Sequence, residues 1–162
     1  MTRNYKQCIK DINNIDLEDI CSDWQWLLNN EYLLVMVSKS GDMFLSGKNG
    51  EISRLDTGKG QLEIVAQSLN EFINALEDTG NIEDWLLPSI VLNLIQNGLL
   101  LKENEVYSYR IMPILHGDYS LTNFVVTNIY VHFSITGQIC KQLKELPDGT
   151  KIAKISFVPH NH

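Results

Sequence analysis

Two histidines, an aspartate, two serines and two asparagines crowd the segment "PILHGDYSLTNFVVTNIYVHFSITGQI", residues 113–139. These residue types could build a metal or hydrolytic centre. A neutral imidazole ligates a cation or takes a proton, and a carboxylate beside it orients the ring. His116 and Asp118 would come from a loop and His132 from the helix after it, three to four residues from Thr136. Against this, the chain has no HExxH or GxSxG pattern, and no Asp or Glu lies on the helix beside His132. Lone histidines of this kind are more often structural than catalytic, and the sequence predicts neither an enzyme nor a bound cofactor or metal.

The elements that must position these residues follow from periodicity. In "NIDLEDICSDWQWLLNN", Leu17, Ile20, Cys21, Trp24, Leu27 and Leu28 recur at helical spacing. Asp16, Glu18 and Asp19 stand where the helix dipole favours acids, so a helix is expected over 15–28. Trp24 is expected in the core and Trp26 over a strand edge. A β-meander follows across 32–68, punctuated by "SKSG", "GKNG" and "TGKG". Asn49-Gly50 suits a type I′ turn. "TGKG" lacks the remaining P-loop residues and joins two strands, so it is read as a turn.

Ser68 and Glu71 form a capping box for a helix over 69–77. Pro88 belongs at a first helical turn, which places a bend near Leu87 and a helix over 88–97, closed by Gly98. "EVYSYRIMPI" reads as a strand with Tyr107, Tyr109 and Ile111 on one face, and "NFVVTNI" as a short extended piece. Ile129, Phe133, Thr136, Cys140 and Leu143 line one side of a helix over 129–143 with Asn128 as its N-cap. "KIAKISFV" is expected as a last strand, and the final "PHNH" is too short and polar to fold by itself. This is an α+β pattern, a mostly antiparallel sheet with packed helices, and one domain over residues 1–162.

Composition narrows the function classes. Of 162 residues, 44% are hydrophobic and 20% charged, as in ordinary globular proteins. No apolar run approaches the roughly 18 residues a membrane span needs, and no signal-like segment opens the chain, so a cytoplasmic protein without membrane contact is expected. Cys8, Cys21 and Cys140 are odd in number and form no CxxC pair, which fits reduced thiols, and Cys21 and Cys140, on apolar helical faces, are expected to be buried. A net charge of −7 argues against direct nucleic-acid binding and suits a basic protein partner.

"DWQWLL", "GDMFLSGKNGEISRLDTGKGQLEIVAQSLNEF", "WLLPSIV", "PILHGDYSLTNF" and "VHFSITGQICKQLKELPDGTKI" together resemble a bacterial domain family over about residues 24–155. That family forms the C-terminal part of immunity proteins against type VI secretion DNase effectors, relatives of the Smi1/Knr4-like α+β superfamily. Its fuller members often carry an N-terminal GAD-like module, for which the stretch before Trp24 is too short. Where the family loop has a pair of glycines, this chain has His116-Gly117. The resemblance implies a cytosolic protein that binds a cognate secreted toxin, a basic nuclease, and neutralises it by occlusion. It carries no catalytic residues over. Trp24, Trp26, Gly117, Asn123 and His132 are then architectural: Gly117 turns the loop, Asn123 ties it by side-chain hydrogen bonds and His132 anchors the helix. Glu103, Glu105, Asp118 and Tyr119 are the expected toxin contacts. A His- or metal-dependent enzyme using His116, Asp118 and His132 is the alternative, and a general interaction or regulatory domain a third reading.

Overall fold

The computed structural model describes residues 5–29 and 31–159. Its centre is a four-stranded antiparallel sheet in the order β1 (Leu33–Val37), β2 (Met43–Ser46), β3 (Ile52–Asp56), β4 (Gln61–Ala66). Alternation along these strands sends apolar side chains to both faces. Met36, Phe44 and Ile52 point to one side, and Val37, Met43, Leu45 and Leu55 to the other. Both faces must therefore be covered.

Three short helices cover the first face: α3 (Leu69–Ala75), α4 (Thr79–Leu86) and α5 (Pro88–Gln96). Phe44, Phe72 and Trp85 meet there with ring centroids 5.3–6.1 Å apart. Each helix starts for a local reason. Ser68 accepts from Glu71 N–H at 3.1 Å and Glu71 accepts from Gln67 N–H, while Asp78 accepts from Asn81 N–H. The bend at Leu87 is real and costly: this β-carbon-bearing residue sits at φ 49°, immediately before Pro88 at the first turn of α5.

The second face is covered by α1 (Leu17–Ser22), α2 (Gln25–Leu28) and the long α6 (Ile129–Leu143). Asn128 caps α6 as expected, accepting from the N–H groups of Tyr130 and Val131. Residues 15–28 do not form one helix. The chain breaks at Asp23–Trp24 where α1 runs onto α6 so closely that a Cβ on Gly137 would stand 2.6 Å from the Asp23 carbonyl. The break leaves Trp24 fully buried with Trp26 stacked on it at 5.8 Å. Trp26 meets α6 rather than a strand edge, with Lys144 lying 4.8 Å from its ring.

The later strands also depart from expectation. β5 (Glu105–Tyr109) and β6 (Phe124–Asn128) pair only with each other among the described residues, forming a separate two-stranded sheet. β5 touches the main body through Tyr107 N–H, which donates to the Lys39 carbonyl at 2.8 Å. The strand ends at Tyr109, so Ile111 is 55% exposed instead of sharing a buried face with Tyr107. "KIAKISFV" forms no strand. The Asn49-Gly50 turn is not type I′, because only Gly50 takes positive φ. Gly47 N–H donates to the Glu51 carbonyl and Gly50 N–H to Gly47, a type I turn closed by a left-handed glycine.

Cys8 and Cys140 are buried and Cys21 is half-buried, one in the first core and two in the second. His160–His162 of the terminal "PHNH" lie outside the described residues.

Candidate functional site

His132 is buried, 1% exposed, and both of its ring nitrogens meet polar groups of the protein. Its Nε2 lies 2.8 Å from the Gly41 carbonyl, an acceptor only, so Nε2 carries the proton. Nδ1 then accepts from Ser108 Oγ at 2.7 Å. Burial pushes the imidazole down to about 4, which keeps the ring neutral and in this tautomer. Gly41 permits the contact: it sits at φ +88°, and a Cβ there would meet Nε2 at 2.3 Å. The ring thus joins α6 to β5 and to the β1–β2 turn. With both nitrogens engaged by protein groups, neither is left for a metal.

Thr57 links this histidine to a buried ion cluster. Its hydroxyl donates to the Gly41 carbonyl at 2.7 Å and stands 3.2 Å from His132 Nε2 and from Asp42 Oδ1. Asp42 accepts from Thr57 N–H through Oδ1 and from Arg54 through Oδ2 at 2.9 and 3.1 Å. Arg54 also approaches Asp56, Asp84 and Glu63 at 3.6, 3.4 and 3.8 Å. Burial, then the neighbouring Asp56, push Asp42 up to about 6; Arg54 and the Thr57 N–H offset part of that. Burial alone would lower Arg54, but the Asp42 and Asp56 carboxylates reverse it, so the guanidinium stays charged. Both Asp42 oxygens accept from the protein. The cluster fastens the turn before β2, the end of β3 and α4 together, and presents no unengaged nucleophile.

The loop that prompted a catalytic reading, residues 111–123, is held by Asn123. Its Nδ2 donates to the carbonyls of Ile111 and Asp118 at 2.8 and 2.7 Å, and its Oδ1 accepts from Ile111 N–H. The left-handed residue is His116, at φ 68°, and not Gly117. Gly117 is needed for proximity instead: a Cβ would come within 1.7 Å of the Ile111 carbonyl oxygen. His116 is exposed. Asp118 accepts from the Ser120 hydroxyl and N–H, which hold its carboxyl below the usual range. His132, buried and fully engaged, does not join His116 and Asp118. Among the described residues no group of three or more His, Cys, Asp or Glu could hold a metal ion.

The four expected contact residues fall in two places. Glu103 is exposed and accepts from Asn14, while half-buried Glu105 closes its turn by accepting from Lys102 N–H. Asp118 and Tyr119 lie beyond the other end of β5, where the Tyr119 ring, 40% exposed, sets its edge against Tyr109. The five residues of β5 separate the pairs by roughly 13 Å of extended chain.

A larger charge feature was missed. From Gly60 to Leu101 there is no Lys, Arg or His, yet Glu63, Glu71, Glu77, Asp78, Glu83 and Asp84 are all present, six of the seven net negative charges. The segment spans edge strand β4 and helices α3–α5, and five of these acids are exposed, Glu83 being half-buried. Between them Ile64, Leu69 and Ile73 are 59%, 50% and 49% exposed. A count of charge along the sequence, in place of the total, would have found it.

Comparison with known proteins bears on the same stretch. Residues 66–140 match the family described as T6SS immunity protein Tdi1, C-terminal. The match runs from the end of β4 to α6, just under half of the chain, and includes the acidic helices, the Asn123 loop and His132. It is the family that the sequence motifs resembled. No curated protein matches the chain. Among solved structures, the crystal structure of Atu4351 from Agrobacterium tumefaciens is similar in fold, with a TM-score of 0.54 at 17% identity. The alignment covers 75% of this chain and 63% of that one, so this chain spans under two thirds of its length. The T6SS immunity family supports an immunity-protein role, and no helix among the described residues is long and apolar enough to cross a membrane.

Proposed function

We propose that this protein is a cytoplasmic immunity protein that binds a cognate secreted toxin, a basic nuclease, and neutralises it by occluding the toxin's working surface. The observation that carries this reading is the family match over residues 66–140. The cation-free stretch 60–101 supports it from physics. Exposed acids such as Glu71, Glu77 and Asp78 raise the encounter rate with an oppositely charged partner, Glu63 and Asp84 being partly spent on Arg54, and the exposed apolar residues between them give the docked complex something to bury. Nuclease surfaces that hold phosphates are cationic, so such a toxin fits this face. Glu103, Asp118 and Tyr119 add exposed contacts outside it. Glu105, committed to its own turn, contributes charge more than contact.

Nothing in this mechanism calls for chemistry by the chain itself. His132 is neutral and enclosed, and the Asp42–Arg54 cluster is engaged within the protein. The test is to identify the product of the adjacent gene and co-express the two: cells producing it survive only when this protein is present, and the two copurify. Equal killing with and without it would remove the immunity reading.

A further inference from the structure

The two edges of the main sheet are finished differently. Along β1 the chain covers itself. Lys10 N–H donates to the Val37 carbonyl at 2.9 Å, Lys39 N–H donates to the Cys8 carbonyl at 2.7 Å, and Ile9 bridges to Ser38. β4 has no such cover. Its one strand partner among the described residues is β3, and no loop bonds to the main chain of Leu62 to Val65 on the other side. Every second residue of such a strand turns its N–H and C=O outward, where a further strand can pair with them. Protected edges carry lysine or proline, or are very short. β4 runs for six residues, Gln61–Ala66, and contains neither lysine nor proline. Its bulge, against Ile52 and Ser53, lies at its C-terminal end, and Ile64 is 59% exposed.

The pleat gives this open edge two unlike sides. Glu63 stands opposite Arg54, on the face that α4 covers, while Leu62 packs into the second core and Ile64 follows it on that side. The Glu63 side stays negative after its internal pairing. Arg54 and Lys59 are two cations among four carboxylates, those of Asp42, Asp56, Glu63 and Asp84, and the side chains of the last two are 56% and 71% exposed. Glu71, Glu77 and Asp78 follow, with no cation between Gly60 and Leu101. This charge also bears on self-association. Glu63 lies near the middle of β4, so antiparallel pairing of β4 with the β4 of a second copy would bring acids together across the new ladder, which is destabilising.

We propose that the open edge of β4 is a docking site for an extended segment of a protein partner, which alternates basic with aliphatic residues and adds to the sheet as a fifth strand. Its main chain bonds to the outward N–H and C=O groups of β4. Its lysine or arginine side chains lie beside Glu63, and its aliphatic side chains lie beside Leu62 and Ile64. The edge supplies affinity and the acids supply selection, because they attract a cationic strand and repel a second copy of this chain. That the segment belongs to the toxin rests on the function proposed above; the edge site does not.

The experiment adds a fluorophore-labelled peptide, Lys-Val-Lys-Val-Lys-Val-Lys with both ends blocked, to the full chain. Two control peptides have the same length. Glu in place of each Lys reverses the charge, and Pro in place of each Val keeps the charge but prevents a strand ladder. Fluorescence anisotropy should show the first peptide binding about tenfold more tightly than either control, and amide hydrogen exchange should slow at alternate residues of β4. Ile64→Lys puts a cation on the edge and should weaken binding about tenfold, whereas Ile64→Val should bind within about twofold of the wild type. Thermal unfolding checks that both variants fold. Equal binding of the proline peptide, equal binding of the glutamate peptide, or unchanged exchange in β4 would each overturn the proposal. A wild-type dimer in sedimentation that I64K dissolves would give the edge to a second copy and overturn it as well. None of these measurements involves the toxin, so failure here is separable from failure of the immunity reading.

Discussion

The Asp42–Arg54–His132 interior and the α3–α5 exterior are built from the same residue types and use them in opposite ways. Inside, Asp42 has both oxygens engaged, and its charge acts on enclosed neighbours, Arg54, Asp56 and the Tyr109 hydroxyl among them. Outside, Glu77 and its neighbours leave their charge facing solvent, where it reaches about 8 Å at physiological salt. Removing a charge therefore means different things. In the interior it strands a partner without water; on the exterior it changes a field. The first is a stability experiment and the second a kinetic one.

Arg54 should give the largest effect. Arg54→Met leaves Asp42 buried without its cation and Asp56 with only the exposed Lys59 at 4.0 Å, and should cost about 3–5 kcal/mol in urea-unfolding free energy. A loss under about 1 kcal/mol would mean that the cluster does not fasten the sheet to α4.

Acid should pull the same interior in two directions. His132 falls from 6.5 to about 4 on folding, so below pH 6.5 the unfolded chain takes the proton first. Stability drawn from this group is intact above pH 6.5 and is lost as pH falls towards 4, by about 3 kcal/mol in total. Asp42 rises from 3.8 to about 6, so the folded state binds its proton first and acidification through pH 6 relieves strain. Wild-type stability should change little between pH 6 and 4. The stability difference between wild type and His132→Gln should shrink on acidification, and that between wild type and Asp42→Asn should move the other way. Differences that stay constant with pH would separate both groups from folding.

Gly117→Ala tests the loop. The new methyl group meets the Ile111 carbonyl at 1.7 Å, and the backbone must move, at about 2 kcal/mol. Gly50→Ala, which has positive φ but open space around it, should cost only about 1 kcal/mol. Equal losses in thermal unfolding would mean that the loop yields to the methyl group and that close approach to Ile111 does not require a glycine.

The smallest effect belongs to the exterior. Glu71→Gln with Glu77→Lys keeps an acceptor at the α3 cap and changes the face by three charges. Stability should move by about 0.5 kcal/mol or less, while the association rate with the toxin falls several-fold and its salt dependence flattens. A variant with unchanged rate would place contact elsewhere, with Glu103 or with Asp118 and Tyr119 next to be tested.

Local rules carried the reading of the fold a long way. The α6 boundaries, the capping box at Ser68 and the bend at Leu87 depend on residues within one turn of each other, and so were legible. What failed depends on partners distant in sequence. "KIAKISFV" has strand composition, but the surface that receives it is a pair of glutamines on α6, Gln138 and Gln142, which bond to the Val158 and Ser156 main chain. The helix expected over 15–28 breaks where the Asp23 backbone must lie on Gly137. At the site, the segment that looks most chemical, His116 to Asp118, never gathers its third member. The cluster that does gather joins Asp42, Arg54 and Thr57 to a histidine on the last helix, and no spacing rule links them.

The three cysteines give the molecule built-in reporters. Burial pushes Cys8 and Cys21 up to about 11 and Cys140 up to about 12, so at neutral pH almost no thiolate exists in the folded state. Cys8 and Cys140 are also enclosed, each 1% exposed, so an alkylating reagent reaches these two chiefly in molecules that have opened. Cys8 lies in the core beneath α3–α5, and Cys140 in the one beneath α6. The rates at which the two are labelled then time the opening of each side of the sheet separately, with no engineered probe.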